Sequence, residues 1–296
     1  MTELSKVTIR GKLVPKVSWQ KYIESLKVRE VKLSKEQAAD LVADALVEAV
    51  RKRIPDKKFG ILFSGGVDST LIAFIAKKLK KDFICYSVGV KNSQDLEWSK
   101  KIAKKLKLSH KQKQLTEAEL EKIIKKVIKI VGGPDVVKVG VGSVFYAAAE
   151  LAKKDKISIL FSGLGSEEIF AGYERHAAAK NINKECWNGL SLMWERDLVR
   201  DYKIAAALRL DIRTPFLDGD LIQAAMKVPG EYKISGDTKK AILREAAVRL
   251  GLENEFAYRK KVAAQYGSKF DHMLEQLARK NGYKFKKEYL QSLFHL

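Results

Sequence analysis

Cysteine is almost missing from this sequence. Cys85 and Cys186 are the only two in 296 residues, and no C-x-x-C occurs. That excludes a disulfide framework and leaves no spacing for a zinc or iron–sulfur site, so both are expected in the core. No run of about eighteen apolar residues is present, which excludes an ordinary membrane-spanning helix. The opening MTELSKVTIRGK lacks the apolar stretch of a secretory signal, so a cytoplasmic protein is expected. Neither G-x-x-x-x-G-K-S/T nor G-x-G-x-x-G occurs, which excludes the two commonest phosphate-binding loops. Acidic residues are also in short supply: 36 Asp and Glu against 57 Lys and Arg give a formal net charge of +21. Such an imbalance attracts polyanions, so nucleic acid is a candidate partner. A Lys- and Glu-rich surface of the thermophile type is the alternative.

What is present centres on residues 59–73, FGILFSGGVDSTLIA. Phe59, Ile61, Leu62 and Phe63 read as a strand covered on both faces. Ser64, Gly65 and Gly66 break it, and a helix resumes by Leu71. Its unpaired N-terminal N–H groups would face an anion, with glycines letting the backbone come close. Asp68 lies in the same turn, where a carboxylate beside phosphate oxygens makes sense chiefly with a divalent cation between them.

Along the chain, residues 1–33 form an N-terminal extension with short strand potential. Ser34 and Gln37 fit a capping box before a helix that reaches Val50. A second strand is predicted over 83–90. A helix capped by Ser93 or Asp95 follows, then a third strand near 109–115 and a helix over 117–131. This β-α-β-α order predicts an α/β fold with a doubly wound parallel sheet, which binds ligands beyond the carboxyl ends of its strands. GGPDVVKVGVGS, from Gly132, reads as an ordinary linker, with a mobile segment as the alternative. ISILFSGLGSEEIFAGY, from Ile157, repeats the strand, Ser-Gly turn and helix. Its Glu167 or Glu168 would bring a second carboxylate to the metal. Beyond Gly172 no strand alternation is found, so the expected organisation is an α/β core over 34–172 and a helical C-terminal lobe over 173–296 with a basic tail.

S-G-G-V-D-S-T resembles the PP-loop of ATP pyrophosphatases. Together with S-G-L-G-S-E-E-I-F-A-G-Y, D-I-R-T-P-F-L-D, K-A-I-L-R-E-A and R-K-K-V-A-A-Q-Y-G-S, in that order, it resembles the synthetase domain of asparagine synthetase B and β-lactam synthetase. The likeness is nearest to the asparagine synthetase domain-containing branch and runs over about 34–270. The resemblance implies ATP and Mg2+ as cofactors, adenylation of a carboxylate with release of pyrophosphate, and amide formation with a nitrogen nucleophile. By the same resemblance Ser64, Gly65, Gly66, Asp68, Ser69 and Thr70 form the pyrophosphate loop. Val88 meets adenine through its backbone, and Ser162, Gly163 and Gly165 form a second nucleotide turn. Asp68 and Glu167 hold the metal. Lys261 stabilises charge at the α-phosphate, a cation aimed at the transition state, with Gly267 and Ser268 bordering the site.

Other residues are read more blandly. Arg213 and Asp218 are expected as an interface ion pair, Lys240 and Arg244 as part of an exposed helix face, and His176 as a helix-surface histidine. Three departures from the family pattern stand out. Leu164 replaces a Glu that organises substrate and proton transfer, and a leucine can do neither. Glu167 replaces an Asp. No glutaminase with its Cys after Met precedes the loop; Thr2 stands there, so ammonia, an amine or a separate glutaminase subunit is the expected nitrogen source. PP-loop enzymes that thiolate tRNA can carry paired cysteines, which are missing here. The basic, aromatic-interleaved RKNGYKFKKEYL over 279–290 raises the possibility of a carboxylate carried on tRNA. Two alternatives stay open: ammonia-dependent asparagine synthesis from free aspartate, and a nucleotide-sensing or partner-binding protein without catalysis.

Overall fold

The computed structural model describes residues 7–9, 12–260 and 262–294. Five strands, β1 (Phe59–Leu62), β2 (Phe83–Gly89), β3 (His110–Gln114), β4 (Ile159–Phe161) and β5 (Asp211–Arg213), form one sheet in the order β3-β2-β1-β4-β5. All four pairings are parallel, with Phe59 opposite Phe83 and Gly60 opposite Leu160. The chain leaves β1 toward β2 and returns to β4 on its other side. The gap between β1 and β4 is therefore the switch point, where sheets of this kind open a crevice.

Strand alternation splits the interior into two cores. Phe59, Ile61 and Phe63 point to one face, with Phe161 and the helices Lys35–Arg51, Val67–Lys78 and Ala241–Arg249. Tyr86, Val88 and Leu160 point to the other, packed by Glu117–Val131, Val136–Lys154, Val199–Leu208 and Phe270–Lys280. Residues beyond 173 thus contribute to both cores. Local signals set the helix starts: Ser34 and Gln37 make the reciprocal capping box at 3.1 and 2.9 Å, and Thr116 with Glu119 makes another. The edge strand β3, HKQKQ, carries lysines that discourage further pairing.

Two expectations need correction. The glycine-rich connection is largely a helix, beginning at Val136 behind an N-cap in which Asp135 accepts from Lys138 N at 2.7 Å. Gly142 serves packing, since a Cβ there would lie 3.0 Å from Ile204 Cδ1, and Gly132, at φ +84°, caps the preceding helix. A strand also exists beyond Gly172, because Asp211–Arg213 pairs with β4. Three residues are too few to show an alternation. Two short antiparallel pairs, Thr8–Ile9 with Lys12–Leu13 and Ile234–Ser235 with Thr238–Lys239, lie outside the sheet.

Candidate active site

The first turn follows β1 directly. Ser64 Oγ accepts from Gly66 N at 3.3 Å and Ser69 Oγ donates to the Gly66 carbonyl at 3.2 Å, closing the loop on itself. Gly65 has a φ of +70°, and an added Cβ would sit 3.0 Å from the Ser99 backbone nitrogen, so glycine is required on both counts. Gly66 is the N-cap of Val67–Lys78, which leaves the first helical N–H groups for an anion, and Thr70 is buried in that helix. The second turn follows β4, where Leu164 N donates to Ser162 Oγ at 3.3 Å and Gly165, at φ +98°, opens the short helix Ser166–Ile169. The two turns lie against each other. A Cβ on Gly163 would come within 3.0 Å of Asp68 Cβ.

Lys240 joins the turns. Its Nζ donates to Asp68 Oδ1 and Oδ2 at 2.9 and 2.8 Å, to Ser166 Oγ at 2.9 Å and to Glu167 Oε1 at 2.7 Å. Ser166 Oγ also donates to Asp68. Burial would push the ammonium pKa down, but Asp68 and Glu167 outweigh it and the pKa is raised. The expectation of an exposed helix face is therefore wrong for Lys240. The residue is the N-cap of Ala241–Arg249 in a left-handed turn with φ 56°, so helical spacing does not apply to it. Arg244 is half-buried and donates to the carbonyls of Lys239 at 2.9 Å and Arg259 at 3.2 Å.

Arg259 is a second cation the sequence reading passed over. Nη1 donates to the Ser64 carbonyl at 2.7 Å, Nη2 to Asp95 Oδ1 at 2.8 Å, and the guanidinium lies 5.3 Å from the Trp98 ring centre. It fixes the first turn against Gln94–Lys105, and Asp95 is its partner rather than a helix cap. Its signal was its place in the R-K-K motif beside Lys261. Lys261 itself lies outside the described residues.

Between the turns lies a cavity of about 230 Å³, lined at one end by Ser64, Asp68, Ser69, Ser162 and Gly163. Val88 and Tyr86 of β2 and Phe145 contribute apolar lining, and Leu164, Arg200 and Asp201 also line it. Gly65, Gly66, Thr70, Gly165 and Glu167 belong to the same two turns without lining it. Gly267 is packed onto the Asp95 carboxylate, and Ser268 is buried beside it. Among the described residues no three His, Cys, Asp or Glu side chains gather to hold a metal. Asp68 and Glu167 nevertheless converge on one cation, the Lys240 ammonium. Two carboxylates beside a phosphate cradle suit Mg2+, which commonly takes one or two carboxylates plus phosphate oxygens.

Three other expectations change. Glu168 is buried and pairs with Arg196, its pKa pushed up to about 7 by burial, so Glu167 alone faces the cation. His176 is fully buried rather than on the surface. Its Nδ1 accepts from Tyr173 N at 3.1 Å, its Nε2 has no hydrogen-bond partner among the described residues, and burial lowers its pKa to about 4. Arg213 and Asp218 do not pair directly: Asp218 binds Arg53 Nη1 at 2.6 Å while Arg213 donates to the Arg53 carbonyl.

The sequence matches the asparagine synthase family model over residues 41–191 and 177–285. The chain belongs to the asparagine synthase family. It is 33% identical over 316 residues to a Methanocaldococcus jannaschii protein provisionally named asparagine synthetase 1 (glutamine-hydrolyzing), covering 92% of this chain and 58% of that protein. With a probable asparagine synthetase (glutamine-hydrolyzing) of Dictyostelium discoideum it shares 28% identity, covering 72% of this chain and 42% of the relative. The chain thus spans roughly half the length of these curated relatives. Among solved structures, the NMN synthetase of Francisella tularensis is similar at a TM-score of 0.44 and 13% identity, covering 89% of this chain and 94% of that one. No helix of the described residues is long and apolar enough to cross a membrane.

Proposed function

We propose that this member of the asparagine synthase family is an ATP-dependent carbon–nitrogen ligase that adenylates a carboxylate, releases pyrophosphate and transfers the acyl group to ammonia or an amine. The observation that carries the reading is the meeting of two Ser-Gly turns at the sheet's switch point, with Asp68 and Glu167 sharing one cation. The helix N-terminus behind Gly66 and the small residues of both turns would take the phosphates. Val88 and the apolar lining would take the base. Asp68 and Glu167 would hold Mg2+, which draws charge from the phosphate oxygens when bound. Arg259 holds the first turn in place, and the cation role at the α-phosphate is proposed for Lys261. Cytoplasmic location remains part of this proposal.

The test is pyrophosphate release from ATP and Mg2+ across aspartate, a panel of other carboxylic acids and total tRNA, with ammonium chloride as the nitrogen source. Release with a free acid supports the ligase, and release with aspartate supports asparagine synthesis in particular. Release only with tRNA supports an RNA-borne carboxylate, whereas no release with any of them leaves the nucleotide-sensing reading. The basic tail bears on the RNA arm. Lys280 pairs with Glu117, Lys286 with Asp271 and Arg279 with Glu275, so three of its cations already face acids. Exposed Phe285 and its neighbours Lys284 and Lys287 are what the tail offers a base and a phosphate.

A further inference from the structure

Leu164 leaves a chemical gap in the proposed reaction. When neutral ammonia attacks an acyl-adenylate the nitrogen becomes cationic and must give up a proton, and a leucine cannot take it. Among the described residues three carboxylates line the cavity: Asp68, Asp95 and Asp201. Asp68 is bound by Lys240 and Ser166, and Asp95 by Arg259. Asp201 differs. Its Oδ1 accepts from Arg200 Nε at 2.6 Å, while no described residue donates to Oδ2.

Asp201 is also firmly placed. It lies on Val199–Leu208, directly after the π-helical turn Trp194–Leu198, a distortion that often accompanies functional sites. Arg200 Nη1 reaches Asp197 Oδ1 at 3.2 Å, Asp197 accepts from Arg196 Nε at 2.6 Å, and Arg196 reaches Glu168 behind the second turn. This chain of charges ties the helix carrying Asp201 to the turn carrying Leu164. Burial raises the carboxyl pKa, Arg200 draws it down and Asp197 pushes it up, with a net rise. A carboxylate so held is a stronger base than an exposed one.

We propose that Asp201 is the catalytic carboxylate of the amide-forming step, supplying from the second half of the chain the proton acceptor that position 164 lacks. The inference rests on the ligase reading above. The nitrogen lone pair forms the bond to the acyl carbon, and the carbon–oxygen bond to AMP breaks with its electrons left on the phosphate oxygen. One proton passes from nitrogen to Asp201 Oδ2 and then to water.

The experiment uses Asp201→Asn in the full chain, with the acid that gives most pyrophosphate release and two nucleophiles. Hydroxylamine traps an acyl-adenylate without help from a protein base, whereas ammonia needs one. The variant should keep pyrophosphate release and hydroxamate formation within about threefold, and lose ammonia-dependent amide formation by at least about a hundredfold. Placing Leu164→Glu on Asp201→Asn should restore part of the loss, which a purely structural defect would not allow. Amide formation from ammonia at the wild-type rate overturns the assignment. So does an equal fall in all three outputs in a variant that melts like wild type. If Asp201→Asn does not fold, Asp201→Glu serves instead: it keeps the carboxylate and should retain the ammonia step, and a selective loss of that step while hydroxamate survives, unrescued by Leu164→Glu, counts against Asp201. Absence of pyrophosphate release in the wild type overturns the ligase reading, whereas release without the nucleophile split overturns only the role of Asp201.

Discussion

Replacing Lys240 with Met removes an ammonium held by Asp68, Ser166 and Glu167 within 2.7–2.9 Å and leaves two carboxylates facing each other. Breaking a buried ion pair by deleting one partner costs about 3–5 kcal/mol. Glu167 keeps access to water, with its side chain 39% exposed, so the cost falls near the lower end, about 3 kcal/mol. For a chain of this size that corresponds to a fall of about 6 °C in Tm. The same vacated carboxylates can then take a divalent cation without nucleotide. At a hundredfold excess over its Kd, bound Mg2+ would return about 2.7 kcal/mol. Thermal melts across a MgCl2 series, with no ATP, should therefore show Tm rising steeply in Lys240→Met and barely in the wild type. Adding Asp68→Ala to the variant should abolish the rise. The reasoning fails if wild type and variant respond equally to Mg2+, or if Lys240→Met melts with the wild type.

Other outcomes follow from single contacts. Asp68→Ala should abolish MgATP binding by calorimetry, and an unchanged affinity would remove the site assignment. Gly65→Ala should lose about 1–2 kcal/mol in denaturant melts, because alanine must adopt the left-handed backbone against Ser99. Lys233 is fully buried, with Met226 Sδ at 3.5 Å and Cys186 Sγ at 3.9 Å as its hydrogen-bond partners, and burial lowers its pKa. Lys233→Met should add about 1–3 kcal/mol at neutral pH. The sign is fixed by linkage: the unfolded amine binds a proton that the buried one resists, so the wild type loses stability as pH falls below the free lysine value, and the variant should lose less. His176, lowered to about 4, should cost the wild type about 3 kcal/mol between the free histidine pKa and that value, and melts of His176→Asn over the same range should show a shallower slope.

The two glycine turns, the first three strands and the capped helices were legible because each is dictated by neighbours in sequence. Thr116 and Glu119 announce their own helix start, and Ser64 to Gly66 announce a turn. What escaped depends on partners far along the chain. Lys240 sits in a lysine-rich sequence and looked like surface, yet its charge is decided by Asp68, 172 positions away. Asp95 looked like a cap until Arg259, 164 positions on, supplied its partner. The three-residue strand β5 carries no periodicity of its own, and only its pairing with β4 defines it. Arg200 and Asp201 lie in no quoted motif. Only the fold brings the helix that bears them to the same cavity as Leu164.

The placement of Lys240 also bears on when the site can come into being. Both turns are synthesised before residue 173, but the cation they share and the guanidinium that steadies the first of them arrive at 240 and 259. A chain cut or stalled between the second turn and Lys240 would lack that cation, the guanidinium that steadies the first turn and much of both cores. Assembly of the site is in this way tied to completion of the fold, through one ammonium that binds a carboxylate of each turn.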